Sequence, residues 1–84
     1  MFTSAKGLTE AGLYKTEMLT AVAEQQMLKQ VNKLVVVVDS SKVGHKTGML
    51  FCPTSNIDTV ITGKNANPAV IESLKKQNIN VILV

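Results

Sequence analysis

The chain has 84 residues, 45% of them hydrophobic, with nine lysines, no arginine and a net charge of +3. That length allows one small domain, which buries a modest share of its surface and is marginal without help from a partner or further chain. Arginine is the favoured residue for reading guanine edges and phosphate forks, so its absence argues against this stretch being a DNA-reading element. One cysteine, Cys52, excludes an internal disulfide or a cysteine-rich metal site, and a reducing cytoplasm is the expected setting. No run approaches the roughly 20 apolar residues of a membrane span.

Residues Phe2–Tyr14 contain Gly7 and Gly12 and little periodicity. They read as loop, with at most a short strand remnant at the start. Thr16–Val31 reads as a helix. Leu19, Ala23, Met27 and Val31 recur every four residues beside Val22 and Leu28, and Thr16 is the expected N-cap. Glu17 and Glu24, seven apart, share a face next to that apolar stripe, while Gln25, Gln26, Lys29 and Gln30 form the expected wet side.

Leu34–Val38 is a continuous apolar run ending in four β-branched valines, the pattern of a parallel strand buried on both faces. It stops at Asp39-Ser40-Ser41-Lys42. Ligands of open α/β sheets bind beyond the carboxyl ends of such strands, so this polar turn is a candidate site. Backbone N–H groups there can form an anion nest, with two hydroxyls and an ammonium as further donors and Asp39 as an acceptor for sugar hydroxyls. The competing view is a polar turn whose Asp39 satisfies local N–H groups. Glu24 is a second candidate, a carboxylate over the same site or simply a solvated helix residue.

Asp39–Asn56 reads as a long excursion with Gly44, Gly48 and Pro53, briefly extended at Leu50–Cys52. His45, without Cys or carboxylate companions, is expected to be a surface loop residue rather than a metal ligand or base. Cys52 is expected to be buried. Ile57–Thr62 is a second strand. Asn67-Pro68 opens a second helix, as N-cap and first helical residue. Its apolar face is Val70, Ile71 and Leu74. Lys75 and Lys76 complement its dipole, and Asn78 is its left-handed stop. Asn80–Val84 is a third strand.

Strands alternating with helices imply a parallel sheet, with a right-handed crossover between the second and third strands. The expected fold is therefore α/β, one partial domain over residues 1–84, with a small, mostly parallel three-stranded sheet and two main helices. Phosphate-loop, dinucleotide and nucleophile-elbow patterns are all missing from the sequence.

Three blocks carry a resemblance: Phe2-Thr3-Ser4-Ala5-Lys6-Gly7-Leu8, Val38-Asp39-Ser40-Ser41-Lys42-Val43-Gly44 and Ser55-Asn56-Ile57-Asp58-Thr59-Val60-Ile61-Thr62. Through them the chain resembles the C-terminal effector domain of DeoR-family transcriptional repressors. The resemblance implies the last portion of a Rossmann-like domain of the isomerase and CoA-transferase type. It implies a sensor of a phosphorylated sugar or related anionic metabolite in carbohydrate metabolism, without cofactor, metal or catalysis. It also implies a homo-oligomer in the cytoplasm that binds DNA only through an N-terminal winged helix-turn-helix, which this stretch lacks, as it lacks the first half of the effector domain. Lys42 matches a substrate-contacting lysine of the related ribose-5-phosphate isomerase, and Glu24 lies at the distance of that enzyme's glutamate. By the same analogy Ser4, Lys6 and Gly7 line the opposite side of the ligand. The alternatives are an isomerase-like enzyme fragment using Glu24 as base, and a dimerisation module without catalysis.

Overall fold

The computed structural model describes residues 1–30 and 33–84. Strands β1 (Phe2–Ser4), β2 (Gly7–Thr9) and β3 (Gly12–Lys15) come first, then helix α1 (Met18–Leu28) and strand β4 (Val35–Val37). Strands β5 (Met49–Pro53) and β6 (Thr59–Thr62), helix α2 (Pro68–Lys76) and strand β7 (Asn80–Leu83) follow. Short 3-10 turns lie at Ser40–Lys42 and Thr54–Asn56. No helix among the described residues is long and apolar enough to cross a membrane.

The α/β class and the parallel pairing hold. The strand count does not: the parallel sheet has four strands, in the order β1-β4-β6-β7, and a separate antiparallel sheet has the order β2-β3-β5. Of the extra strands, β2 and β3 come from the opening segment expected to be loop, β1 falls on the short strand remnant expected at its start, and β5 on the part of the excursion expected to be briefly extended. Leu8 pairs with Leu13 and Thr9 with Gly12, leaving Glu10-Ala11 as a two-residue turn. Such a loop is the commonest hairpin connection. All seven residues of β2 and β3 are buried, so no alternation of polar and apolar residues marks them in the sequence.

The second helix follows its local chemistry. Asn67 accepts the Ala69 N–H, Pro68 takes the first turn, and Val70, Ile71 and Leu74 are buried. Asn78 adopts a φ of 65° just after the helix, as its left-handed stop.

The first helix departs from its sequence pattern. Its N-cap is Glu17, not Thr16, and it makes no side-chain cap bond. Val31, expected to end the apolar stripe, lies outside the described residues. The rest of that stripe faces outward: Leu19 is 88% exposed, and Ala23 and Met27 are also exposed. The inward face is Ala21, with Glu24 and Leu28 half-buried. Polar anchors chose this face. Glu24 is held by Lys15, and Gln25, expected on the wet side, donates to the Phe51 carbonyl at 2.8 Å.

One core joins both sheets and both helices. Leu8, Leu13 and Phe51 from the antiparallel sheet meet Val36 and Val60 from the parallel sheet and Leu74 from α2. The junction is tied by the Gly44 N–H, which donates to the Leu8 carbonyl at 2.6 Å.

Candidate functional site

The carboxyl end of β1 opens into a small cleft. Its chemistry comes from Ser4 at the end of β1, Lys6 just after it, Lys15 at the end of β3, and Glu17, Thr20 and Glu24 at the start and middle of α1. Ser4, Lys6 and Glu24 are the candidates expected from the sequence. Lys15, Thr16 and Thr20 are additions that the sequence reading did not contain.

Lys15 organises the cleft. Its ammonium donates to the Thr3 hydroxyl at 2.8 Å, to the Ser4 carbonyl at 2.6 Å and to Glu24 Oε1 at 3.1 Å. It also sits 5.0 Å from the centre of the Phe51 ring, within reach of a cation–π attraction. The Thr3 hydroxyl donates to the other oxygen of Glu24. One buried ammonium therefore ties together β1, α1 and β5 from its place on β3. The side chains of Lys15 and Glu24 are only 9% and 19% exposed, which makes this a largely desolvated ion pair. A buried lysine needs that many partners, because an unpaired buried charge is very costly. The result is a fixed carboxylate at the cleft wall, with the ammonium of Lys6 nearby on an exposed side chain.

Residues Asp39, Ser40, Ser41 and Lys42 occupy a turn of their own two residues beyond β4, and none of them lines this cleft. Both places lie at the carboxyl edge of the parallel sheet, since Ser4 is in register with Val37. The Asp39 carboxylate accepts the Ser41 N–H at 2.9 Å. That bond, the Ser41 hydroxyl and nearby Lys42 hold Asp39 below the usual carboxylate range. Ser41 and Lys42 are exposed, and Ser40 is half-buried.

Gly7 is buried between the two places. A Cβ there would fall 2.3 Å from the His45 carbonyl oxygen, so the loop after the turn packs directly on it. This contact is a packing reason for glycine at position 7. His45 itself is exposed, as expected of a surface loop residue. Among the described residues no three His, Cys, Asp or Glu side chains come together as metal ligands would.

Cys52 is buried, and burial pushes its thiol up to about 11 despite the opposing charge of Lys15. The thiolate is the reactive form. Native protein is therefore expected to react with a thiol-specific disulfide reagent at pH 8 at least tenfold more slowly than urea-unfolded protein. The stability held by the neutral thiol is complete below the ordinary thiol pKa of about 8.5 and falls as the pH rises towards 11. Equal labelling rates in the native and unfolded states would contradict the burial.

A model of the DeoR C terminal sensor domain matches residues 1–64. The HTH-type transcriptional regulator UlaR of Escherichia coli (strain K12 / DH10B) is 60% identical over all 84 residues of this chain, which correspond to 34% of the relative. The regulator of the same name from Shigella boydii serotype 18 matches at the same identity and coverage. The chain thus spans about a third of the length of these curated relatives. No solved structure gives a significant match. With three quarters of its residues under that sensor-domain model, the chain belongs to the DeoR family of transcriptional regulators.

Proposed function

We propose that this chain is the ligand-sensing part of a DeoR-type repressor of carbohydrate metabolism, and that its ligand is a phosphorylated sugar or a related small anion. The observation that carries this reading is the cleft at the carboxyl end of β1, where an ammonium, two hydroxyls and a fixed carboxylate converge from Lys6, Ser4, Thr20 and Glu24. A sugar phosphate needs that combination: cationic and N–H donors for the phosphate, and carboxylate acceptors for the hydroxyls. The exposed turn Ser40–Lys42 supplies a second cationic end at the same edge of the sheet. In this reading Lys42 binds phosphate or a sugar oxygen, Asp39 shapes the turn, and Glu24 accepts from a hydroxyl.

The role is binding without catalysis. Both oxygens of Glu24 are engaged, one by Lys15 and one by Thr3, which supports an acceptor held in place over a base that takes up protons. The relatives are HTH-type regulators. In the whole protein, DNA contact then falls to another part, and ligand binding must favour one of two arrangements of the sensor. The coupling to DNA affinity is of the usual size, about 1–3 kcal/mol.

Titration calorimetry tests the site. With glucose 6-phosphate and ribose 5-phosphate as probes, Lys42→Ala is expected to weaken binding by about 1.5–3 kcal/mol, the worth of a lost charged hydrogen bond. Unchanged affinity would remove Lys42 from the site. Failure of both sugar phosphates and of inorganic phosphate to bind the unsubstituted protein would remove the ligand class.

A further inference from the structure

The two helices are held to the fold in different ways. Helix α2 buries Val70, Ile71 and Leu74 among its nine residues, is capped by Asn67 and ends on Lys75 and Lys76. Helix α1 buries only Ala21 among its eleven, with Leu28 packed partly against the core. It has no side-chain cap, no acidic residue in its first turn and no basic residue in its last. An isolated helix of that length is marginal in water, so α1 depends on its docking.

That docking is mostly polar. Glu24 receives the Lys15 ammonium at 3.1 Å and the Thr3 hydroxyl, and Gln25 donates to the Phe51 carbonyl at 2.8 Å. Gln25 is an exposed residue, so its bond competes with water. The Glu24 pair is charged and largely desolvated, which makes it the stronger anchor.

The same anchor is a wall of the cleft. Ser4, Lys6 and Lys15 stand on one side, and Glu17, Thr20 and Glu24 on the other. All three protons of Lys15 are taken, by Thr3, Ser4 and Glu24. A molecule that touches both walls therefore adds bonds that exist only while α1 is docked. A ligand with that preference shifts the population towards the docked form.

We infer that α1 opens from the rest of the fold as a unit of its own, that the contacts of Glu24 with Lys15 and Thr3 are the latch that holds it shut, and that a molecule filling the cleft strengthens the latch. The first two parts hold whatever the cleft binds, and the third rests on the reading of the cleft as a sugar-phosphate site. The docked and undocked positions of α1 are then the two arrangements between which a ligand chooses.

Hydrogen exchange followed by NMR tests it. Amides of residues 22–28 are expected to exchange about tenfold faster than those of Val36, Val60 and Leu74, as for a segment that opens below the global free energy. Glu24→Gln is expected to speed residues 22–28 by about a further tenfold and to leave the other three within about twofold. Equal exchange of α1 and the sheet would overturn the inference. So would a Glu24→Gln change that speeds every element together, since α1 would then open only with the whole fold. Should Glu24→Gln fail to fold, Thr3→Val, which removes the second tie to Glu24, is read in the same way. Glucose 6-phosphate and ribose 5-phosphate are then added, with their binding measured separately by calorimetry. A probe that binds is expected to slow α1 about fivefold more than the sheet. Binding without that slowing would overturn the coupling of the latch to the cleft. If neither probe binds, the sugar-phosphate reading falls and the Glu24→Gln comparison alone decides the latch.

Discussion

Replacing Lys15 by Met is expected to destabilise the domain by about 3 kcal/mol, towards the lower end of the range for breaking a buried ion pair. The cost comes less from the lost attraction than from what is left behind. Glu24 would keep the Thr3 hydroxyl but lose its countercharge, in a position only 19% exposed. The Ser4 carbonyl and the Thr3 hydroxyl would each lose a donor. Glu24 keeps some contact with water, which is why the expected figure is not larger. Urea unfolding of Lys15→Met and of the double variant Lys15→Met/Glu24→Leu measures the effect. The double variant is expected to recover part of the loss, since no uncompensated charge remains buried. A single variant within about 0.5 kcal/mol of the unsubstituted chain, as for an ordinary surface change, would show that the pair is solvated and that the cleft wall is not built on it.

Leu8→Ala is expected to cost about 2–5 kcal/mol, the range for emptying a fully packed aliphatic site. Leu8 has no exposed surface and lies in the hairpin that joins the two sheets. Its carbonyl accepts the Gly44 N–H, and the residue forms a bridge with Val43. A cavity there loosens the loop that packs on Gly7 as well as the core. Native domains are stable by about 5–15 kcal/mol, and a domain this small belongs near the bottom of that range. The variant is therefore expected to be partly unfolded at 37 °C. Leu50→Ala serves as the reference, because Leu50 in the same small sheet system is 50% exposed. Equal losses from the two substitutions would place Leu8 outside the core.

The readable parts of this chain were those governed by neighbours in sequence. The second helix could be read almost to the residue, because Asn67, Pro68 and Asn78 act on backbone within two or three positions of themselves. Strand β4 was readable because a run of valines followed by a polar turn suits little else. The opening hairpin is not legible in the sequence for a physical reason. Strands buried along their whole length carry no alternation, and Gly7 and Gly12 look like loop until the sheet that pairs them is in view. The sequence pattern places the first helix but not its inward face. Its apolar residues go nearly all the way round, so periodicity could not choose a face, and Lys15, Glu24 and Gln25 chose it through contacts 9 to 26 residues apart.

The same division holds for the candidate site. Ser4 and Lys6 follow from the family resemblance and Glu24 from its helix position as well, and the fold brings the three to one cleft. Lys15 carried no signal, because a lone lysine reads as solvated until three other elements close around it. The sequence by itself determined the α/β class, the second helix, the parallel pairing of its flanking strands and the family resemblance, all properties of short segments and their order. Only the tertiary structure decided the second sheet, the face of α1 turned inward, the buried ion pair and the separation of the Asp39 turn from the cleft. Those depend on which distant groups are desolvated together, and that free energy exists only once the chain has closed on itself.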